Sequence, residues 1–347
     1  MSIFTYKERN CIMAEKSKNC RLGSVGGQAV IEGVMMKAGE RYSVAVRMPD
    51  NSIKVTNKAF VSVKKKHKFL NIPILRGIVN FVETMILSYN TLMLSTEAFG
   101  LEEEEETKFE KWLKEKCGKS LFDIIMGVAM VLGLALGFGI FFVLPSLFTG
   151  WLDGITGGHI GMAKSVIEGL IKILIFITYI WAVSFMKDIR RTFEYHGAEH
   201  KSIFCYESGE ELTPENVKKF KRFHPRCGTS FIFVILIISI LFSTFITWDN
   251  MALRVIVKLL MLPLIVGVGY EFIMYAGKHD NILVRILSAP GLLMQRLTTL
   301  EPDESQIEVA IKALKCSLPD VFPEEAAASE EATEPESAES ESTEQHG

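Results

Sequence analysis

Four long apolar runs constrain this chain more than any other feature of it. Residues Ile124 to Phe148 carry no charge and are long enough to cross a bilayer. Ser165 to Met186 is broken only by Glu168 and Lys172, four apart with the acid first, a spacing that pairs on a helix. Ser230 to Thr247 is uncharged, and Val255 to Tyr275 has Lys258 near its start, where its stem can snorkel. In hydrocarbon every backbone polar group must be satisfied internally, so such runs fold as helices. The sequence therefore predicts a mainly α membrane protein with four transmembrane helices as two hairpins, turning at 149–164 and 248–254. With 48% hydrophobic residues and a mean hydropathy of +0.23 over 347 residues, composition agrees.

Basic residues orient these helices. Lys187, Arg190, Arg191, Lys201, Lys218, Lys219, Lys221, Arg222 and Arg226 lie between the second and third runs. Lys108, Lys111, Lys114, Lys116 and Lys119 precede the first run, and Lys278, Arg285 and Arg296 follow the fourth. The positive-inside bias then places both termini and the 187–228 loop in the cytoplasm of a cell-membrane protein. Met1 to Cys20 has no apolar core of useful length, so no secretory signal is expected. A net charge of −3 argues against general nucleic-acid binding.

The cytoplasmic parts have their own organisation. Tyr42 to Met48 and Ser52 to Thr56 read as two strands joined at Pro49-Asp50-Asn51, and the glycines of GGQAVIEGVMM (26–36) as tight turns and close backbone packing. No phosphate-loop pattern is present. Apolar residues at helical spacing from Leu75 to Met93 predict an amphipathic helix, packed on the cytoplasmic part or lying at the interface. The expected divisions are a flexible N-terminus (1–20), a small β-containing cytoplasmic element (21–68) and an amphipathic helical region (69–119). Transmembrane hairpin 1 (120–186), a cytoplasmic His/Cys loop (187–228) and hairpin 2 (229–276) follow. A C-terminal helical segment (277–316) and a disordered acidic tail (317–347) complete the chain.

The chemistry lies in EYHGAEH, 194–200. His196 and His200 are four apart, hence on one helix face, with Glu199 beside them in the order H-x-x-E-H used by one class of metallohydrolases. The helix carrying them is expected to continue the second span. Thr213 and Pro214 read as a fresh helix start leading to FHPRCG, with His224 and Cys227. Two metal schemes stay open for a divalent transition ion, Zn2+ by its mixed N/S donors. In the structural scheme His196, His200, His224 and Cys227 close a tetrahedron. In the catalytic scheme three protein groups bind, and Glu199 activates water. Glu271, a carboxylate inside the fourth run, is a further ligand by type, with His279 and Asp280 two turns on.

Other reactive side chains have plainer readings. Cys11, Cys20, Cys117 and Cys316 are ordinary thiols, reduced in a cytoplasmic setting, and Cys205 is a small buried apolar residue. His159 falls in the outer hairpin turn, His346 in the tail, and His67 among Lys64, Lys65, Lys66 and Lys68 in a patch suited to anionic lipid.

The segments GGQAVIEGVMMKAGERYSVAVRMPD, EYHGAEHKSIFCYE and FHPRCGTSF, in that order, resemble the YqhQ-like family of bacterial multi-spanning membrane proteins over about Gly23 to Leu300. The resemblance implies an integral membrane protein and a metal-dependent enzyme, with His196, Glu199, His200, His224 and Cys227 as the metal-site residues. Two functions are compatible with the sequence. One is a hydrolase acting on a lipid-linked or membrane-protein substrate. The other is a non-catalytic membrane scaffold or assembly factor with a structural metal. Partners beyond membrane lipid, and the oligomeric state, are left open.

Overall fold

The computed structural model describes residues 25–99, 125, 128, 131–161, 163–224, 226–246, 250–276, 279 and 281–331. The N-terminal 20 residues, the acidic and lysine-rich stretch 101–119, Asp280 and the tail beyond residue 331 lie outside them, as do Cys11, Cys20 and Cys117.

Four strands form an antiparallel meander in sequence order: β1 (Val25–Val30), β2 (Gly33–Ala38), β3 (Arg41–Arg47) and β4 (Ile53–Ala59). The expected pair is present as β3 and β4, and the glycine-rich run supplies two further strands. Asn51 turns the β3–β4 connection at φ 67°, next to Asp50, whose carboxylate accepts the Ser52 amide at 2.9 Å. Both sheet faces are covered. Val34, Met36, Ala45 and Val55 belong to one apolar cluster, and Val30, Met35, Tyr42, Val44 and Val46 to the other. Strand alternation distributes adjacent residues to opposite faces, so an apolar run such as Val34-Met35-Met36 requires cover on both.

Among the described residues the helices of nine residues or more are α1 (Leu75–Phe99), α2 (Val131–Ile155, with a π-helical turn at Gly139–Val143), α3 (Ala163–Val183), α4 (Lys187–Ser208) and α5 (Gly228–Ser243). Then come α6 (Met251–Leu260), α7 (Leu262–Ala276), α8 (Ile282–Thr298), α9 (Glu304–Ser317) and α10 (Pro323–Glu331). α1 covers one sheet face through Leu87 and Ala98. The other face lies against α4 and α9, through Tyr195, Ala198, Ile307, Val309 and Ala310. The N-terminal sheet thus closes on a helix more than 240 residues downstream. Arg47 fastens the two, reaching Glu308 at 2.9 Å and the Ser305 carbonyl at 2.6 Å. The β element thus packs into one α/β unit with α1, α4 and α9.

Among the described residues two helices, α2 and α3, are long and apolar enough to cross a membrane. α6 and α7 qualify only as a broken pair bent by 43°, and α5 has 16 residues. At 1.5 Å per residue α5 spans about 24 Å, short of the roughly 30 Å hydrocarbon core. Two or three of the four expected spans therefore meet the length. These helices pack closely where small residues allow. A Cβ on Gly267 would lie 2.7 Å from the Ile74 carbonyl oxygen, and one on Gly291 would lie 2.6 Å from Ser230 Cα.

The second apolar helix does not run on into the histidine helix, as the sequence suggested. α3 ends at Val183, and Met186 is extended (φ −71°, ψ 133°) before α4 begins at Lys187. α4 stops at Gly209, whose left-handed φ of 79° costs a glycine nothing. Thr213 and Pro214 do open a new helix, with Thr213 Oγ1 accepting the Asn216 amide, but it lasts only through Lys218.

Candidate metal centre

α4 places His196, Glu199 and His200 on its inner side, and Cys227, which N-caps α5, meets them from the opposite direction. The ligating atoms of His196, His200 and Cys227 all lie within 4.8 Å of one another. His196 Nε2 is 3.2 Å from Cys227 Sγ. Glu199 Oε2 stands 3.8 Å from His196 Nε2 and 3.6 Å from His200 Nε2.

The tautomers follow from the other ring nitrogens. His196 Nδ1 lies 2.8 Å from the Thr298 carbonyl, and His200 Nδ1 is bonded to the Arg222 carbonyl. A carbonyl only accepts, so each Nδ1 carries the proton and each Nε2 offers a lone pair. This is the outer-shell arrangement of metal-ligating histidines. Two imidazole nitrogens and a thiol in one cluster suit a zinc-type ion.

His224, the fourth donor of the structural scheme, is near but not clustered with the others. Its ring packs 4.6 Å from that of Phe204 and 5.4 Å from that of His200, centroid to centroid. Its Nδ1 accepts the Arg226 amide at 3.3 Å. Gln295, fully buried, holds the loop by both main-chain groups of His224: Oε1 accepts its amide at 2.7 Å and Nε2 donates to its carbonyl at 2.8 Å. Glu271 is elsewhere. Arg76 grips both its carboxylate oxygens, and the Ile74 amide donates to it at 3.2 Å. That pairing accounts for a carboxylate in an apolar run without any metal. His279 bonds back to the Tyr275 carbonyl of its own segment at 3.1 Å.

Burial sets the charge states. Glu199 is 4% exposed, and loss of hydration pushes its carboxyl up to about 7, opposed by the electrostatic influence of neighbouring His196 and by the Gly27 amide donating to it. Burial, reinforced by His196, lowers His200. Burial, with His200 and Arg226, puts His224 well below the ordinary imidazole value. Both rings are therefore neutral at pH 7, as ligands must be. Burial raises the Cys205 thiol to about 12, so it stays protonated, in keeping with its reading as a small apolar residue.

Two glycines build the centre: Gly27, from the run read as turns and close backbone packing, and Gly197, which the sequence reading did not single out. Gly27 of β1 lies against Glu199, where a Cβ would meet Glu199 Cγ at 2.9 Å. Gly197, inside the motif, faces the 299–302 segment, and a Cβ there would stand 2.0 Å from the Leu300 oxygen. That contact, with the Leu300 amide donating to the Phe193 carbonyl at 2.9 Å, brings the Thr298 carbonyl over His196. The signal was the glycine inside H-G-A-E-H, a poor helix former at a position needing close approach.

The chain matches the family described as Protein of unknown function (DUF1385) over residues 72–320. It is similar to the Uncharacterized protein YqhQ of Bacillus subtilis (strain 168), with 34% identity over 294 residues covering 83% of this chain and 90% of that protein. No solved structure matches it. With most of its length inside the family match and a relative aligned across nearly its whole extent, the chain belongs to the DUF1385 family.

Proposed function

We propose that this chain is a multi-pass membrane protein carrying a metal-dependent hydrolase centre at the cytoplasmic face. His196, His200 and Cys227 hold a divalent ion of zinc's chemistry, and Glu199 serves as the proton-handling group. The observation that carries this reading is the convergence of two Nε2 lone pairs and one thiol beside a buried carboxylate. When bound, such an ion supplies Lewis acidity to an oxygen-bearing substrate. Glu199 then accepts or returns a proton at Oε2, and a carboxyl raised to about 7 does both near neutral pH. The Gly27 amide and the two imidazoles orient it. With His224 outside the cluster, three protein donors leave one position of a tetrahedron for substrate.

The substrate class we infer is a lipid-linked molecule or a membrane protein, since Cys227 stands at the first residue boundary of the apolar helix α5. A structural metal in a membrane scaffold is the second reading, favoured by the 1% exposure of His200. Glu199→Gln separates them. It keeps shape and hydrogen bonding but cannot take the proton at neutral pH. The expected protein is folded and metal-loaded yet fails to rescue a deletion strain. Full rescue by a metal-loaded variant would leave only the scaffold.

The proposed orientation places both termini and the centre in the cytoplasm, supported by the basic residues flanking the apolar runs. Reporter fusions at Gly157 are expected to read as external, and those at Gly209 as cytoplasmic. An external signal at Gly209 would put the thiol of Cys227 in an oxidising compartment and undo the ligand assignment.

A further inference from the structure

One stretch of the surface is pinned in place yet turns its apolar side chains outward. Residues 61–72 run between β4 and α1 through two short helical turns, Val63–Lys66 and Lys68–Asn71. α1 fixes this stretch by polar contacts. Glu83 accepts the Ser62 hydroxyl at 2.9 Å and the Val63 amide at 2.7 Å, and Asn80 Oδ1 accepts Lys64 Nζ at 2.7 Å. Val61, Val63, Phe69 and Ile72 nevertheless stay exposed, Phe69 at 64%. The outer face of α1 continues the surface with Val82, Met85, Ile86, Tyr89, Leu92 and Met93, which recur at helical spacing and are all exposed. The one charged residue between Val82 and Met93 is Glu83, already committed to Ser62 and Val63.

This surface lies where the apolar helices meet the α/β unit. The chain turns at Ile74 with a left-handed φ of 69°, a conformation costly for a β-branched residue. Contacts with α7 hold it there. The Ile74 amide and Arg76 Nε donate to Glu271 Oε1 at 3.2 and 2.7 Å, and a Cβ on Gly77 would stand 2.7 Å from Tyr270 Cβ. Glu271 is five residues before the end of α7 at Ala276, about 8 Å along the helix. The polar layer on each side of a bilayer is of similar depth. With α6 and α7 as a broken span, residues 61–72 therefore sit at the level of the lipid headgroups.

Over residues 61–82 the chain carries Lys64, Lys65, Lys66, Lys68 and Arg76 and no acid. Acids of neighbouring elements face three of these cations. Glu40 pairs with Lys65, Glu271 with Arg76, and Glu83 shares the neighbourhood of Lys37 with Lys64. Lys66 and Lys68 remain, exposed and without an ion pair among the described residues. Outward apolar side chains beside unpaired lysines at headgroup depth match an anionic bilayer surface, whose acyl chains take the first and whose headgroups take the second. A nucleic acid or an acidic protein would satisfy the lysines alone. We propose that residues 61–72 and the outer face of α1 form an in-plane membrane-embedding surface, at which Lys66 and Lys68 bind the headgroups of anionic phospholipids. This surface requires the membrane placement of the apolar helices proposed above and is independent of the metal centre.

Full-length protein carrying Phe69→Trp, reconstituted into phosphatidylcholine vesicles with a minor fraction of phosphatidylglycerol, provides the test, with one or the other lipid brominated in the upper acyl chain. Quenching beyond that of the wild-type tryptophans reports lipid contact at residue 69. Brominated phosphatidylglycerol should quench several-fold more per lipid than brominated phosphatidylcholine, and the excess should fall at high salt, which screens exposed charges. Lys66→Gln with Lys68→Gln in the same protein, both at exposed side chains, should abolish the excess and leave quenching by phosphatidylcholine in place. No quenching beyond wild type would overturn the embedding. Equal quenching per lipid by the two, or an excess that survives the lysine changes, would overturn the headgroup site. The native Trp151 and Trp181, exposed on α2 and α3, separate these failures from failure of the membrane placement. Wild-type quenching by brominated lipid persists if this surface alone is wrong, and is lost if the apolar helices do not enter the bilayer.

Discussion

His200→Ala is expected to cost the protein its bound metal and a large part of its stability at once. The ring is 1% exposed, its Nδ1 proton satisfies the Arg222 carbonyl, and its Nε2 points into the cluster. Truncation leaves a cavity and an unsatisfied buried carbonyl, together worth about 2–5 kcal/mol before any metal is counted. Metal binding adds to folding free energy when the ion binds only the folded state. Thermal unfolding with and without a chelator separates these contributions. The wild type should lose stability when chelator is added, whereas His200→Ala should begin lower and show no chelator effect. Parallel losses in both proteins would show that the ion sits elsewhere. The double variant with His196→Ala should likewise hold no metal.

Gly197→Ala is the second large effect, and it touches no ligand. Alanine is the better helix former by about 1 kcal/mol, so propensity alone predicts stabilisation. The new Cβ, however, would stand 2.0 Å from the Leu300 oxygen, a backbone atom with no rotamer by which to escape. The 299–302 segment must move, taking with it the Thr298 carbonyl that fixes the His196 tautomer. The expected result is destabilisation by roughly 2–4 kcal/mol, of the size seen for overpacked or strained core sites, with weakened metal retention. Titrating metal back into the purified variant and measuring unfolding would check both. A variant as stable as the wild type would mean that the loop crosses the helix elsewhere.

How much of this was legible in the sequence depends on the range of the interaction. The α4 ligands are local. Two histidines four apart on a helix must share a face, and a helix start at Thr213 is written in Thr-Pro. The amphipathic helix 75–99 shows itself by period, and its exposed Val82, Met85, Ile86 and Tyr89 form the expected apolar face. Cys227 was visible only as a residue type in a nearby motif, and it is the fold that separates it from its neighbour His224. Gln295 and the Thr298 carbonyl come from a helix about 100 residues after His196 and had no local signature.

Three features take their form from contacts that no local pattern reveals. Glu271 invited a metal reading because its partner, Arg76, is 195 residues away. The apolar run 255–275 is bent by 43° at the break between Leu260 and Leu262, which hydropathy does not register. Alternation within the strands reveals that both sheet faces are apolar, not that one of them packs on α9. In each case composition described the residue correctly while the long-range partner decided its role.

X-ray absorption at the metal edge of the purified wild-type protein tests the central assignment most directly. His196, His200 and Cys227 as ligands predict a bound zinc-type ion with one sulfur neighbour at about 2.3 Å and nitrogen neighbours at about 2.0–2.1 Å. The sulfur contribution should vanish in Cys227→Ser. A purified protein without metal, or a shell of oxygen and nitrogen alone in the wild type, would contradict it.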